Sequence, residues 1–166
     1  GNGNFSSAQQ TQLYRYIVDY LRVTKGLDNL LTTFAVNGGP GTYQYPGDDV
    51  VDIVGIDAYT DNLAGYKGVY DKLIAQAPTK VFALTEEGSG DPNGPDRSYD
   101  LNHLKTDIQS TLPRAVYTNF WSGWGPDLQA NGKAAMSDPF WINKSQVGPI
   151  GGGGTTTPPP IVLPIT

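Results

Sequence analysis

Four short apolar runs, rich in β-branched residues, constrain this chain most: residues 30–36, 50–56, 80–84 and 114–121. None alternates cleanly between apolar and polar, a pattern expected of parallel strands covered on both faces. Segments at helical spacing separate them. Leu13, Ile17 and Leu21, with Tyr16 and Tyr20 beside them, predict a helix that opens at Ser6 or Ser7 and stops at Gly26. Residues 65–77 place Tyr66, Val69, Tyr70, Leu73 and Ile74 on one face, and Pro78 ends that helix. Leu101, Leu104, Ile108 and Leu112 mark a third helix, with Asp100 as its N-cap and Pro113 as its stop. The order is helix, strand, long loop, strand, and then helix and strand twice more. Parallel strands need crossover connections of this length, so the fold class is α/β.

The loops that follow the strand C-termini are polar and rich in aromatic residues, and in α/β folds that end carries the active site. Glutamate occurs only at positions 86 and 87, where the third strand ends. Side chains alternate along a strand, so the two point to opposite faces and do not form a facing acid/base pair. Parity favours Glu86 as the inward one. Leu84 and Phe82 would then line the interior, and Thr85, Ala83 and Val81 would meet the helices. Gly88 lets the backbone turn away. On the second strand Asp57 and Tyr59 share a parity. On the fourth, Trp121 shares one with Asn119, Tyr117 and Ala115. Carboxylates, a phenol and an indole face at one rim are the groups a sugar site uses. Each alone has a plainer role in capping or packing. The reading rests on their falling at successive strand ends.

Other chemistries find less support. Formal net charge is −5 with no Lys/Arg run, which argues against nucleic acid as a partner. Charged residues make up 16% against about 25% in an average domain, so polarity comes from amides and hydroxyls. That balance suits a secreted protein handling neutral, hydroxyl-rich ligands. There is no cysteine, which removes disulfides and thiol catalysis. No run approaches the roughly 20 apolar residues of a membrane span. The single histidine, His103, falls inside the third helix among polar neighbours, away from any strand end where a Ser-His-Asp triad would need it. Asp48-Asp49 follows Pro46-Gly47 and reads as a turn, so no metal is expected, and no phosphate-binding glycine motif implies a cofactor. Residues 150–166, with their Gly, Thr and Pro runs, read as a linker or tail after a domain over 1–149. Such a linker commonly leads to a further binding module. The opening Gly-Asn-Gly-Asn reads as the middle of a loop, so the start of the protein is expected upstream.

Four stretches, Tyr14-Arg-Tyr-Ile-Val-Asp-Tyr-Leu21, Lys25-Gly-Leu-Asp-Asn-Leu-Leu31, Tyr45-Pro-Gly-Asp-Asp-Val-Val-Asp-Ile-Val-Gly-Ile-Asp-Ala-Tyr59 and Ala83-Leu-Thr-Glu-Glu-Gly88, together resemble glycoside hydrolase family 26. Its typical members are endo-β-1,4-mannanases. The resemblance implies a (β/α)8 barrel, of which this chain would supply strands 5 to 8, the C-terminal half. It implies that Glu86 is the nucleophile of a retaining hydrolase of mannan or galactomannan. Asp57 and Tyr59 would lie near the cleavage subsite, with the tyrosine bonded to the nucleophile, and Trp121 would be an aromatic platform. Glu87 departs from the family, where that position is often hydrophobic. The family's acid/base glutamate, in an upstream His-Glu motif, has no counterpart here, so the chain alone is expected not to turn over mannan. Xylan or mixed-linkage β-glucan as substrate, a non-catalytic carbohydrate-binding role, and a half-barrel that works on pairing with another chain stay open.

Overall fold

The computed structural model describes residues 5–38, 43–90, 99–143 and 146–147. The expected linker at 150–166 lies outside the described residues, as do 91–98 of the loop after the third strand. Helix α1 runs Ser7–Asp19 and continues as a wider π-type turn over Tyr20–Thr24. Ser6 caps it: its hydroxyl accepts from the Gln9 amide while the Gln9 side chain accepts from the Ser6 amide. Strand β1 is Thr33–Asn37, β2 Ile53–Tyr59, β3 Val81–Gly88 and β4 Ala115–Phe120. Helix α2, Lys67–Gln76, follows a 3-10 turn over Leu63–Tyr66, and α3 is Leu101–Thr111. Asp100 caps α3 by accepting from the Asn102 amide. After β4 come a 3-10 turn, Pro126–Leu128, and the single-turn α4, Gly132–Ala135, neither of which the apolar pattern announced.

The four strands form one parallel sheet in chain order, β1-β2-β3-β4. This is the arrangement expected of half a (β/α)8 barrel. The sequence reading placed strands β1 and β2 about three residues early. Leu30 and Leu31 precede β1, and Val50 and Val51 are buried in the turn before β2, not in the strand. That turn is built by Gly47, at φ 114°, and by Asp49, whose carboxylate takes two hydrogen bonds from the Arg15 guanidinium. Strand β3 runs four residues past Leu84, carrying both glutamates inside the sheet.

The described helices cover one face of the sheet. Val54, Ile56, Ala58, Phe82 and Leu84 are fully buried there with Leu73, Leu101, Leu104 and Leu112. Phe82 packs edge-on against Tyr70 of α2, ring centroids 4.9 Å apart, and Phe34 against Tyr14 of α1. This corrects the parity reading: Phe82 and Leu84 face the helices, not the interior. The opposite face carries Thr33, Ala35 and Asn37 of β1 and Val116, Tyr117 and Asn119 of β4, all exposed. Strand residues expected to be covered on both sides are therefore covered on one.

Candidate active site

At the C-terminal end of the sheet, β2 and β3 lose regular register. Ile56 pairs with Leu84 but Asp57 pairs with Glu86, so Thr85 is an extra residue in β3, a β-bulge. Glycine at position 55 makes room for it. A Cβ on Gly55 would sit 2.3 Å from the Thr85 methyl carbon and 2.7 Å from its hydroxyl. From there the Thr85 hydroxyl donates to Asp57 Oδ1 at 2.7 Å. Thr85 thus faces away from the helices, and the bulge lets the next residue, Glu86, face the same way. The Tyr59 hydroxyl donates to Glu86 Oε2 at 2.9 Å. Glu86 is on the side the sequence reading assigned to it, reached through a bulge in place of unbroken alternation.

Glu87, displaced to the opposite face, is fully buried. Its Oε1 accepts from the Tyr99 hydroxyl at 2.8 Å, and its Oε2 has no partner among the described residues. Burial pushes its carboxyl up to about 8, against a smaller downward pull from the Tyr99 hydrogen bond, and Asp61 adds to the rise. Burial also raises Asp57, opposed by the Thr85 bond and reinforced by the charge of Glu86. Tyr59 rises as well, through burial first and then its bond to Glu86, so it is a phenol donor throughout the pH range in which a carboxylate works.

Two hydrogen-bonded pairs, Thr85 with Asp57 and Tyr59 with Glu86, thereby lie side by side where Asp57 stands opposite Glu86. Trp121 lies just past β4, where its amide donates to the Glu87 carbonyl at 2.9 Å, and its ring is half exposed. Trp124 lies closer to the tyrosine. Its ring meets Tyr59 edge-on at 5.7 Å, its indole N–H donates to the Ser89 hydroxyl, and it occupies the space above Gly88. A side chain at 88 would strike that indole at 2.8 Å. No contact of Trp124 with Tyr59 was legible in the sequence; the glycine at 88, which follows the glutamates, was the available signal of a close approach there. Asn119 reaches across to donate to the Thr85 carbonyl at 3.2 Å, tying the bulge to β4. His103 is exposed on α3, 3.4 Å from Asp107 and away from the strand ends. Among the described residues no group of three acids or histidines is placed to hold a metal ion.

A carboxylate held by a phenol on an open rim, with apolar ring faces nearby, can bind a sugar ring and attack an electrophilic carbon. The family profile of Glycosyl hydrolase family 26 matches residues 2–146. The mannan endo-1,4-beta-mannosidase of Bacillus subtilis (strain 168) is 35% identical over 139 residues, an alignment covering 82% of this chain and 37% of that protein. The mannan endo-1,4-beta-mannosidase of Bifidobacterium adolescentis is 31% identical over 149 residues, 75% of this chain and 15% of that protein. A solved Bacillus subtilis mannanase superposes with TM-score 0.76 at 30% identity, covering 94% of this chain and 44% of the other. A Cellulomonas fimi endo-beta-1,4-mannanase double mutant superposes with TM-score 0.71 at 28% identity, over 89% and 39%. The chain spans well under half the length of the curated relatives it matches. With a match running from residue 2 to residue 146, and with relatives that share both its sequence and its backbone path, the chain belongs to glycosyl hydrolase family 26.

Proposed function

We propose that this chain is the nucleophile-bearing half of a secreted, retaining β-1,4-mannanase. The observation that carries the proposal is the hydrogen bond from Tyr59 to Glu86, beside Asp57, at the open end of the sheet. In the intact barrel a Glu86 oxygen attacks the anomeric carbon of the sugar bound on the rim. The glycosidic C–O bond breaks, and the leaving oxygen takes a proton from a second carboxylic acid. Water, activated by the same group as a carboxylate, then hydrolyses the glycosyl-enzyme with net retention. The Tyr59 donor fixes one carboxylate oxygen and stabilises its negative charge, leaving Oε1 to attack.

A retaining pair requires carboxyl groups about 5–5.5 Å apart across the substrate. Glu87 does not meet that need, since it is buried on the helix side against Tyr99. The acid/base is therefore assigned to residues outside this chain, and mannan or galactomannan to the substrate, by analogy with the mannanases above. Two measurements test the reading. In the complete enzyme, Glu86→Gln should lower kcat on galactomannan by about a thousandfold or more with the fold intact; near-normal turnover overturns the assignment. The isolated 166-residue chain should release no reducing sugar from galactomannan, and clear activity sensitive to Glu86→Gln would place both carboxyl groups within it.

A further inference from the structure

We propose that Glu87 is a positioning residue for Glu86, acting through its buried hydrogen bond with Tyr99. This rests on the reading of Glu86 as nucleophile and goes beyond it.

Residues 87 and 88 are where three elements meet. The Glu87 carbonyl accepts from the Trp121 amide, which fastens the end of β4. The Gly88 carbonyl accepts from the Thr60 amide, which fastens the end of β2. The Glu87 side chain accepts from Tyr99, the residue before the Asp100 cap of α3. A bulged strand end has lost part of its ladder, so its rotation about the strand axis is set by such anchors. Glu86 and Glu87 are consecutive and face opposite ways. Clamping the second on the helix side fixes the direction in which the first presents its carboxylate to Tyr59.

Packing alone does not account for a carboxyl here. A leucine would fill a buried site of this size, whereas the glutamate leaves an Oε2 with no partner among the described residues. Burial holds the Glu87 carboxyl neutral through the acid and neutral range, so it adds no second negative charge beside the nucleophile. The position keeps a hydrogen-bonding acceptor whose use is to hold Tyr99.

The test is made in the complete enzyme with an aryl β-mannooligoside, comparing Tyr99→Phe, Glu87→Leu and Glu87→Gln with Glu86→Gln. Tyr99→Phe and Glu87→Leu are expected to lower kcat about tenfold to a hundredfold, with KM within about twofold. Glu87→Gln, which keeps a neutral acceptor, should recover most of the loss. A packing role would instead lower Tm while leaving kcat unchanged well below the melting temperature. Wild-type kcat in folded Tyr99→Phe overturns the proposal, and this variant loses a single oxygen, so it serves where Glu87→Leu fails to fold. Equal damage in Glu87→Gln and Glu87→Leu also overturns it. If Glu86→Gln is fully active, the nucleophile assignment fails instead, and the two failures are told apart.

Discussion

The two faces of this sheet follow different rules. On the helix side the central strands present Val54, Ile56, Phe82 and Leu84, large or β-branched and excluded from water, with Ala58 sealed beside them. On the other side the strands carry Ala35, Gly55, Ala83 and Thr85, and polarity rises toward the rim through Asp57, Tyr59, Glu86 and Asn119. The first face holds the fold together and the second carries the candidate site. The open face also carries apolar residues in water, Val116 at 62% exposure among them, and Val23 is 80% exposed on the π-type turn after α1. A face of that kind matches a segment that spans under half of its relatives.

The contrast can be broken most directly by truncation. Phe82→Ala, on the helix side, is expected to cost about 3–5 kcal/mol, while Val116→Thr on the open face should stay within about 0.5 kcal/mol. Urea unfolding of the two variants decides, and equal losses would mean the faces are not distinct. A pH series sharpens the same comparison for the two glutamates. Glu87 has its folded pKa raised to about 8 from an ordinary 4.5, so the folded state holds a proton that the unfolded state releases between those values. Its contribution is full below about pH 4.5 and is lost as pH climbs to about 8, amounting to roughly 5 kcal/mol at most. Glu87→Gln should flatten the fall in Tm between pH 5 and 8, and an unchanged slope would show that Glu87 is already ionised in the fold.

The smallest of these effects concerns the bulge. Gly55→Ala drives a methyl into Thr85 and should cost about 1–3 kcal/mol by overpacking. Adding Thr85→Ala should return part of that loss, because the two side chains compete for one space. Strict additivity in the double-mutant cycle would disprove the contact.

Much of the architecture was legible in the sequence. Helical spacing and caps located α1 and α3, and Pro78 and Pro113 stopped α2 and α3, because these signals are local. Strand starts were not legible. Val50 and Val51 look like strand residues but are buried by the turn that Arg15 and Asp49 hold, across a separation of 34 residues. The side of the sheet on which Phe82 lies was misread for a related reason. Alternation predicts a face only in an unbroken strand, and the bulge at Thr85 is set by pairing with β2. Gly55 was the one local hint of a close approach there. The burial of Glu87 had no local hint at all, since its partner, Tyr99, lies twelve residues away in sequence and arrives only with α3.

Thr85 works as a phase shifter. A ladder in step would hand Glu86 to the helices and Glu87 to the rim; the surplus residue exchanges them. Which of two chemically identical neighbours reaches the open rim and which is sealed among the helices is decided by a count, not by composition. Deleting the Thr85 codon would put the ladder back in step and leave Glu86 opposite Asp57 and Glu87 on the helix side; keeping Thr85 in an unbulged ladder is what would exchange them.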